Sequence, residues 1–233
     1  MEKQEIDGVV VLNKPKGLSS NTASNKVKYL LSAKKAGHLG TLDPMATGVL
    51  PVALGKATKL FDMFLKKRKT YIATFNFNYE TDTLDSEGEI LNNSIKTISE
   101  AQIRDILGEF TGNISQMPPK YSAKKVNGVR AYDLARKGVD FELKPKEITI
   151  YSIDLMERVE DNVFKLFIEC SSGTYIRSIC RDIAYRLGTY ATMTDLIRTR
   201  CGIFSIIESF TIEDISNGNY KILSMEEILK RLG

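Results

Sequence analysis

Asp43 follows His38 by five residues in GHLGTLDPMATGVLP, residues 37–51. His38 is the single histidine of the chain and Asp43 the one carboxylate of this stretch; Gly37, Gly40, Pro44 and Gly48 shape the backbone around them. A carboxylate on a stiff loop can act as a nucleophile, or as an anion beside an electron-poor carbon. Glycosidic bonds provide such a carbon, because positive charge builds on the sugar as the bond breaks. The Asp43-Pro44 pair also reads as structure, with Asp capping a helix and Pro at its first position. His38 reads as a hydrogen-bonded structural residue or, near Lys34 and Lys35, as a contact to phosphate or base. Arg177, in SSGTYIRSICRDI, stands early in an expected helix, where the macrodipole disfavours a cation. It is either a surface arginine or one held by a buried anion, and Asp43 is the candidate. Tyr71 opens a long alternating segment, as a core aromatic or as a ring that stacks on a base.

Several chemistries are excluded by spacing. GVLPVALGKAT places six residues between Gly48 and Gly55 where a phosphate loop needs four, and Ala57 replaces the Ser/Thr that would hold magnesium. No Gly-x-Gly-x-x-Gly supports a dinucleotide, and no Gly-x-Ser-x-Gly supports a serine triad. Cys170, Cys180 and Cys201 are odd in number and form no C-x-x-C, which fits structural thiols in a reduced cytosolic protein. With one histidine and no cysteine pair, no zinc site is expected. No apolar run approaches the ~18 residues of a membrane span, and the polar MEKQEIDG start is no signal or transit peptide.

The net charge of +4 is unevenly spread. Residues 1–70 carry 13 Lys/Arg against 5 Asp/Glu, residues 71–119 carry 2 against 8, and residues 120–149 carry 8 against 4. Two basic segments in a nearly balanced chain suit a polyanion-binding face; a solvated lysine-rich surface is the alternative.

The elements that must position these residues follow from pattern. GVVVLNKP reads as a buried strand stopped by Pro15, then Ser20 caps a helix with Ala23, Val27, Leu30 and Leu31 on one face. VLPVAL is a strand that Pro51 assigns to an edge or bulge, and KATKLFDMFLKK an amphipathic helix. TYIATFNFNYET alternates, with Tyr71, Ala73, Phe75, Phe77 and Tyr79 on one face; Asp85 to Gly88 supplies turn residues. Ser99 with Gln102 forms a capping box, Ile98 with Ile103 a staple, and Gly112 the stop of that helix. Residues 116–148, with Pro118-Pro119, an Asn127-Gly128 turn and a short helix to Gly138, read as an excursion from the core. EITIYSIDLMERV and VFKLFIECS form a hairpin through Glu160-Asp161-Asn162. Thr174 caps a helix ended by Gly188, and Ser224 with Glu227 boxes the last one. Strands and helices interleaved without a repeat predict an α+β fold around a largely antiparallel sheet.

The stretch 37–59 resembles the catalytic signature of the bacterial tRNA pseudouridine-55 synthases of the TruB type. Five more stretches resemble that family in the same order: LNKPKGLSS (12–20), KTYIATFNFNYETDTLDSEG (69–88), QMPPKYSAKKVNGVRAYDLARKG (116–138), SGTYIRSICRDI (172–183) and LIRTRCGIF (196–204). The resemblance spans roughly residues 7–215. It implies the pseudouridine-synthase fold, a mainly antiparallel mixed sheet flanked by helices and loops, as a single catalytic domain over 1–233. Within it, 116–148 would be an RNA-contacting thumb.

The activity implied is conversion of uridine-55 in the tRNA T-loop to pseudouridine by base flipping. The N-glycosidic bond breaks and C5 joins C1′. Asp43 would be the essential carboxylate, either attacking covalently or removing a sugar proton. Arg177 would pair with it and Tyr71 would stack on the uracil. Lys14 and Pro15 would form the pocket wall, and Tyr175 and Leu196 its floor. His38, Lys120, Lys124, Lys125 and Arg130 would contact RNA. No cofactor, metal, membrane or obligate protein partner is implied, and a cytoplasmic monomer is the default. Many family members continue into a C-terminal RNA-binding PUA domain; with the chain ending at Gly233, that domain is expected to be absent and RNA binding to be more salt-sensitive. Family members often carry Ala-His where this chain has Ala191-Thr192, which predicts one polar contact fewer. Two alternatives remain at this level: a T-loop-binding RNA-folding factor without essential chemistry, and an RNA glycosidase that releases uracil.

Overall fold

In the computed structural model, the described residues are 4–65, 67–122, 124–126 and 128–232. They group into two compact units, one of residues 1–72 with 196–233 and one of 73–195. The chain crosses between the units within the strands Lys69–Asn76 and Thr192–Cys201. The sheet is mixed and mainly antiparallel.

In the first unit, Gly8–Lys14 pairs antiparallel with Thr47–Leu54 along its whole length, from Gly8↔Leu54 to Lys14↔Gly48. On its other side Thr47–Leu54 has two partners in succession. Thr47 and Gly48 pair parallel with Ile197 and Arg198, and Val52 to Leu54 pair with the short strand Ala36–His38. Pro51 therefore lies in an interior strand rather than at an edge. It falls in the interval between the two partners, where its own carbonyl takes the Leu39 N–H at 2.9 Å. Val9, Val11, Leu39, Val49, Ala53, Phe64, Cys201 and Phe204 belong to one buried cluster.

Local chemistry explains the first helix, Ser20–Leu30, but not as the sequence suggests. Ser19 is the cap, its hydroxyl accepting the Thr22 N–H at 3.0 Å, and Ser20 is engaged elsewhere. Ala23, Val27 and Leu31 are buried as expected, while Leu30 faces solvent. The run 56–67 forms a 3-10 turn, Gly55–Leu60, and one helical turn, Phe61–Leu65; Lys66 lies outside the described residues.

In the second unit the sheet order is Lys69–Asn76, Val163–Cys170, Lys146–Glu160, Gly112–Gln116. Strict alternation buries Tyr71, Ala73 and Phe75 on one face. Phe77 is buried too but already in the turn, and Tyr79 starts a new strand, Tyr79–Thr81. The hairpin 146–170 forms as predicted, with Asn162 in a left-handed conformation at its turn (φ 59°). Helix Glu100–Leu107 has the predicted capping box, and both staple residues are buried. It stops at Gly108, not Gly112, which opens the next strand. Helix Ile176–Arg186 starts after Tyr175; Thr174 bonds Ser171 O instead of capping it. The excursion holds a two-residue ladder, Lys125–Val126 with Val129–Arg130, and helix Ala131–Arg136. Of the predicted Asn127-Gly128 turn, Gly128 has φ 85° and Asn127 lies outside the described residues.

Candidate active site

No helix follows Asp43. Pro44 and Met45 make a turn, and a strand begins at Thr47, so the capping role is removed. What holds Asp43 is a set of clamps on the backbone to either side. Before it, the Ser20 hydroxyl donates to Leu42 O and accepts from Leu42 N–H, both at 2.7 Å. After it, Pro44 O accepts from Gly17 N–H at 2.8 Å and from Lys14 Nζ at 3.1 Å. Ala46 N–H closes the turn on Asp43 O at 3.1 Å. Arg198 donates Nη2 to Gly40 O at 3.0 Å, Nη1 to Thr41 O at 3.0 Å and Nε to Val49 O at 2.8 Å. Gly48 allows the close approach: it has φ 100°, and a Cβ there would stand 2.3 Å from Arg198 O.

Two of these clamps are cations with no exposed surface, Lys14 and Arg198. Burying a charge is costly unless its donors are satisfied. Lys14 Nζ meets this with the carbonyls of Pro15 (2.9 Å), Leu18 (2.8 Å) and Pro44, and Arg198 with the three above. Burial pulls the Arg198 guanidinium down, but Cys201, Tyr71 and Asp43 outweigh it and raise its pKa above the ordinary value. Burial, then the Arg198 charge, lowers the pKa of His38, so its imidazole is neutral at neutral pH. His38 Nδ1 is buried without a hydrogen-bond partner among the described residues. Tyr71 is 6% exposed and hydrogen bonds to Arg198. Thus Asp43, His38, Tyr71, Lys14, Pro15 and Leu196 fall in the first unit. Arg198 is a buried residue beside Asp43 that spacing alone missed. Its only signal is a charged residue two places from Leu196 on the inward face of a strand.

The second unit holds Arg177, Tyr175 and the thumb residues. Arg177 is 5% exposed, so the surface reading is excluded. Its Nη1 donates to Thr83 O at 2.8 Å and meets Asp85 Oδ2 at 3.4 Å; Nη2 donates to Tyr121 O at 3.1 Å. A buried anion does stand beside this arginine, and within this unit it is Asp85, whose sequence context signals only a turn. Asp85 is itself fixed, Oδ1 accepting from Thr83 Oγ1 at 2.6 Å and Glu87 N–H at 3.1 Å. Gln116, 1% exposed, holds Tyr175 from both sides: Nε2 donates to Tyr175 O at 3.1 Å and Oε1 accepts Tyr175 N–H at 2.9 Å. Ser178 and Arg181 both donate to Met117 O. The root of the excursion is thereby tied to the start of helix Ile176–Arg186. Beyond that root, Lys120, Lys125 and Arg130 are exposed and Lys124 half-exposed. Thr192 is fully buried and donates to Tyr79 O at 2.9 Å. Among the described residues no helix is long and apolar enough to cross a membrane, and no group of three or more His, Cys, Asp or Glu is placed to hold a metal.

Residues 28–176 match the family described as TruB family pseudouridylate synthase (N terminal domain), and residues 177–232 match the tRNA pseudouridylate synthase B C-terminal domain. The chain is 46% identical over 226 residues to tRNA pseudouridine synthase B of Francisella philomiragia, covering 96% of this chain and 73% of that protein. It is 42% identical over 214 residues to the protein of that name from Clostridium kluyveri, covering 92% and 74%. Among solved structures it is similar to a Cbf5-Nop10-Gar1 complex, with TM-score 0.73 and 30% identity over 96% of this chain and 62% of that one. It is also similar to an archaeal box H/ACA sRNP Nop10-Cbf5 complex, with TM-score 0.68 and 29% identity. The chain spans about half to three-fifths of the length of those structural relatives.

Proposed function

The chain belongs to the TruB family of pseudouridylate synthases, isomerases that act on tRNA, and from that premise we propose that Asp43 is the carboxylate with which it converts the T-loop uridine at position 55 to pseudouridine. The observation that carries this reading is the mounting of Asp43. Serine, lysine, arginine and glycine anchors fix the backbone on both sides of one half-buried carboxylate. A near-attack geometry needs that rigidity, since a displacement of ~1 Å can cost ~10²-fold in rate.

In the reaction the N1–C1′ bond breaks, the uracil turns, and C5 bonds to C1′. The C5 proton leaves and N1 gains one, so no atoms are added and no redox partner is required. Asp43 attacks C1′ or removes a sugar proton. We assign Tyr71 to stack on the flipped base and Arg177 to support the active site. Stacking worth ~1–3 kcal/mol helps offset the few kcal/mol of unstacking. Lys14 and Pro15 form the pocket wall and Leu196 lies at its floor, with Tyr175 as a supporting residue. His38, as a neutral imidazole, lies toward the T-loop. Lys120, Lys124, Lys125 and Arg130 grip its phosphates. The substrate places this work with cytoplasmic tRNA.

The test uses T-arm RNA carrying tritium at uridine C5, with the wild-type chain and Asp43→Asn. Tritium release by the wild type, its loss in the variant and retained RNA binding support the reading. Free uracil would instead identify a glycosidase, and equal release by the variant would remove Asp43 from its role.

A further inference from the structure

Arg198 carries more than its three main-chain hydrogen bonds. A guanidinium with no solvent exposure remains charged in proteins, so its field persists inside the first unit. The main-chain acceptors of its N–H groups, Gly40, Thr41 and Val49, are neutral carbonyls that offset none of that charge; Tyr71 is a further hydrogen-bond partner and Asp43 acts on it through its charge. The titratable groups in its field come from four elements: Asp43 from the loop, His38 from strand Ala36–His38, Tyr71 from strand Lys69–Asn76, and Cys201 from its own strand. Asp43 is the one carboxylate among them.

We propose that Arg198 is a positioning residue that both shapes the Asp43 loop and supplies the fixed buried positive charge around which Asp43, His38 and Tyr71 are arranged. The proposal rests on Asp43 being the reacting carboxylate. Geometry and charge are coupled here because one planar group does both. Its fork reaches the backbone two and three residues before Asp43 and the strand six residues after it, while its cationic field attracts the carboxylate and repels a proton on His38.

The test exploits a sequence fact: His38 is the only histidine, so its ring resonances in untagged protein need no assignment. Three proteins are titrated by NMR and assayed by tritium release and T-arm RNA binding: wild type, Arg198→Met and Arg198→Lys. In the wild type the His38 titration lies below pH 6.5, the ordinary value. Arg198→Met moves that titration upward and lowers kcat by ~10²-fold, with the RNA Kd within threefold. Arg198→Lys returns the His38 titration to the wild-type side and recovers part of kcat, because it restores the charge without the planar fork. Three results overturn the proposal: His38 titrating at its ordinary value in the wild type, Arg198→Met active within threefold, or Met and Lys variants alike in both readouts, which is a purely structural role. If Arg198→Met does not fold, the wild-type and Lys titrations decide alone. A wild-type protein that releases no tritium would instead defeat the functional reading, and the titrations would still judge the buried charge.

Discussion

The Asp43 loop and the 116–148 excursion both draw on basic residues, yet one hides its cations and the other displays them. Lys14 and Arg198 have no exposed surface and direct their N–H groups at main-chain carbonyls. Lys120, Lys125 and Arg130 extend into solvent, Arg130 lying over the Tyr132 ring at 5.8 Å. A buried cation is fixed in place and its field is weakly screened, so it can hold geometry and set the charge state of neighbours. An exposed lysine is screened and mobile, and is suited to phosphates whose positions vary. The same residue types therefore serve shape in one region and, in the proposed function, RNA affinity in the other.

The largest effect expected from breaking this contrast is at the carboxylate that the buried cations serve. Asp43→Asn should lower tritium release by at least ~10³-fold, with thermal melting and RNA binding close to wild type. Next comes a buried cation itself. Lys14→Met keeps the bulk but strips the donor from three carbonyls, each unsatisfied acceptor costing ~1–3 kcal/mol. Gly17 N–H still serves Pro44 O, so a net destabilisation of about 3 kcal/mol should appear as a lower urea midpoint. Lys120→Gln, the exposed counterpart, should stay within ~0.5 kcal/mol.

The excursion should fail differently. Replacing Lys120, Lys124, Lys125 and Arg130 together by Gln should weaken T-arm binding and leave kcat at saturating RNA near wild type. The slope of log K against log salt should flatten by ~0.7–0.9 for each phosphate no longer neutralised. An unchanged slope would remove these residues from the RNA face.

The smallest effect concerns His38. Its folded pKa lies below the ordinary 6.5 because of burial and then Arg198. As pH falls below about 6.5 the unfolded chain takes up a proton that the folded chain does not, so stability falls. His38→Gln should remove that component from the pH dependence of the urea midpoint between about pH 7 and pH 5.

Much of the local structure is legible in the sequence because its causes are local. The alternation from Tyr71 to Phe75, the capping boxes at Ser99 and Ser224, and the hairpin through Asn162 depend on neighbours a few residues away. Where two serines stand side by side at one helix start, local rules do not separate them, and the sequence reading takes Ser20. The structure gives the cap to Ser19 because Ser20 is taken by Leu42, 22 residues on. Pro51 misleads for a similar reason. A proline disfavours an interior strand only where its N–H is required, and a change of partner on that side leaves an interval.

By itself the sequence determined the chemical inventory: one carboxylate on a glycine- and proline-bounded loop, one histidine, an arginine early in a helix, and two basic segments. Its ordered motifs pointed to the family and to the reaction. Only the tertiary structure decided which cations are buried. Whether Arg198 is a surface charge or a buried one depends on a parallel pairing with Thr47 and Gly48, some 150 residues earlier in the chain. Burial is a property of what packs around a residue, and no pattern within a few residues of Arg198 carries that information.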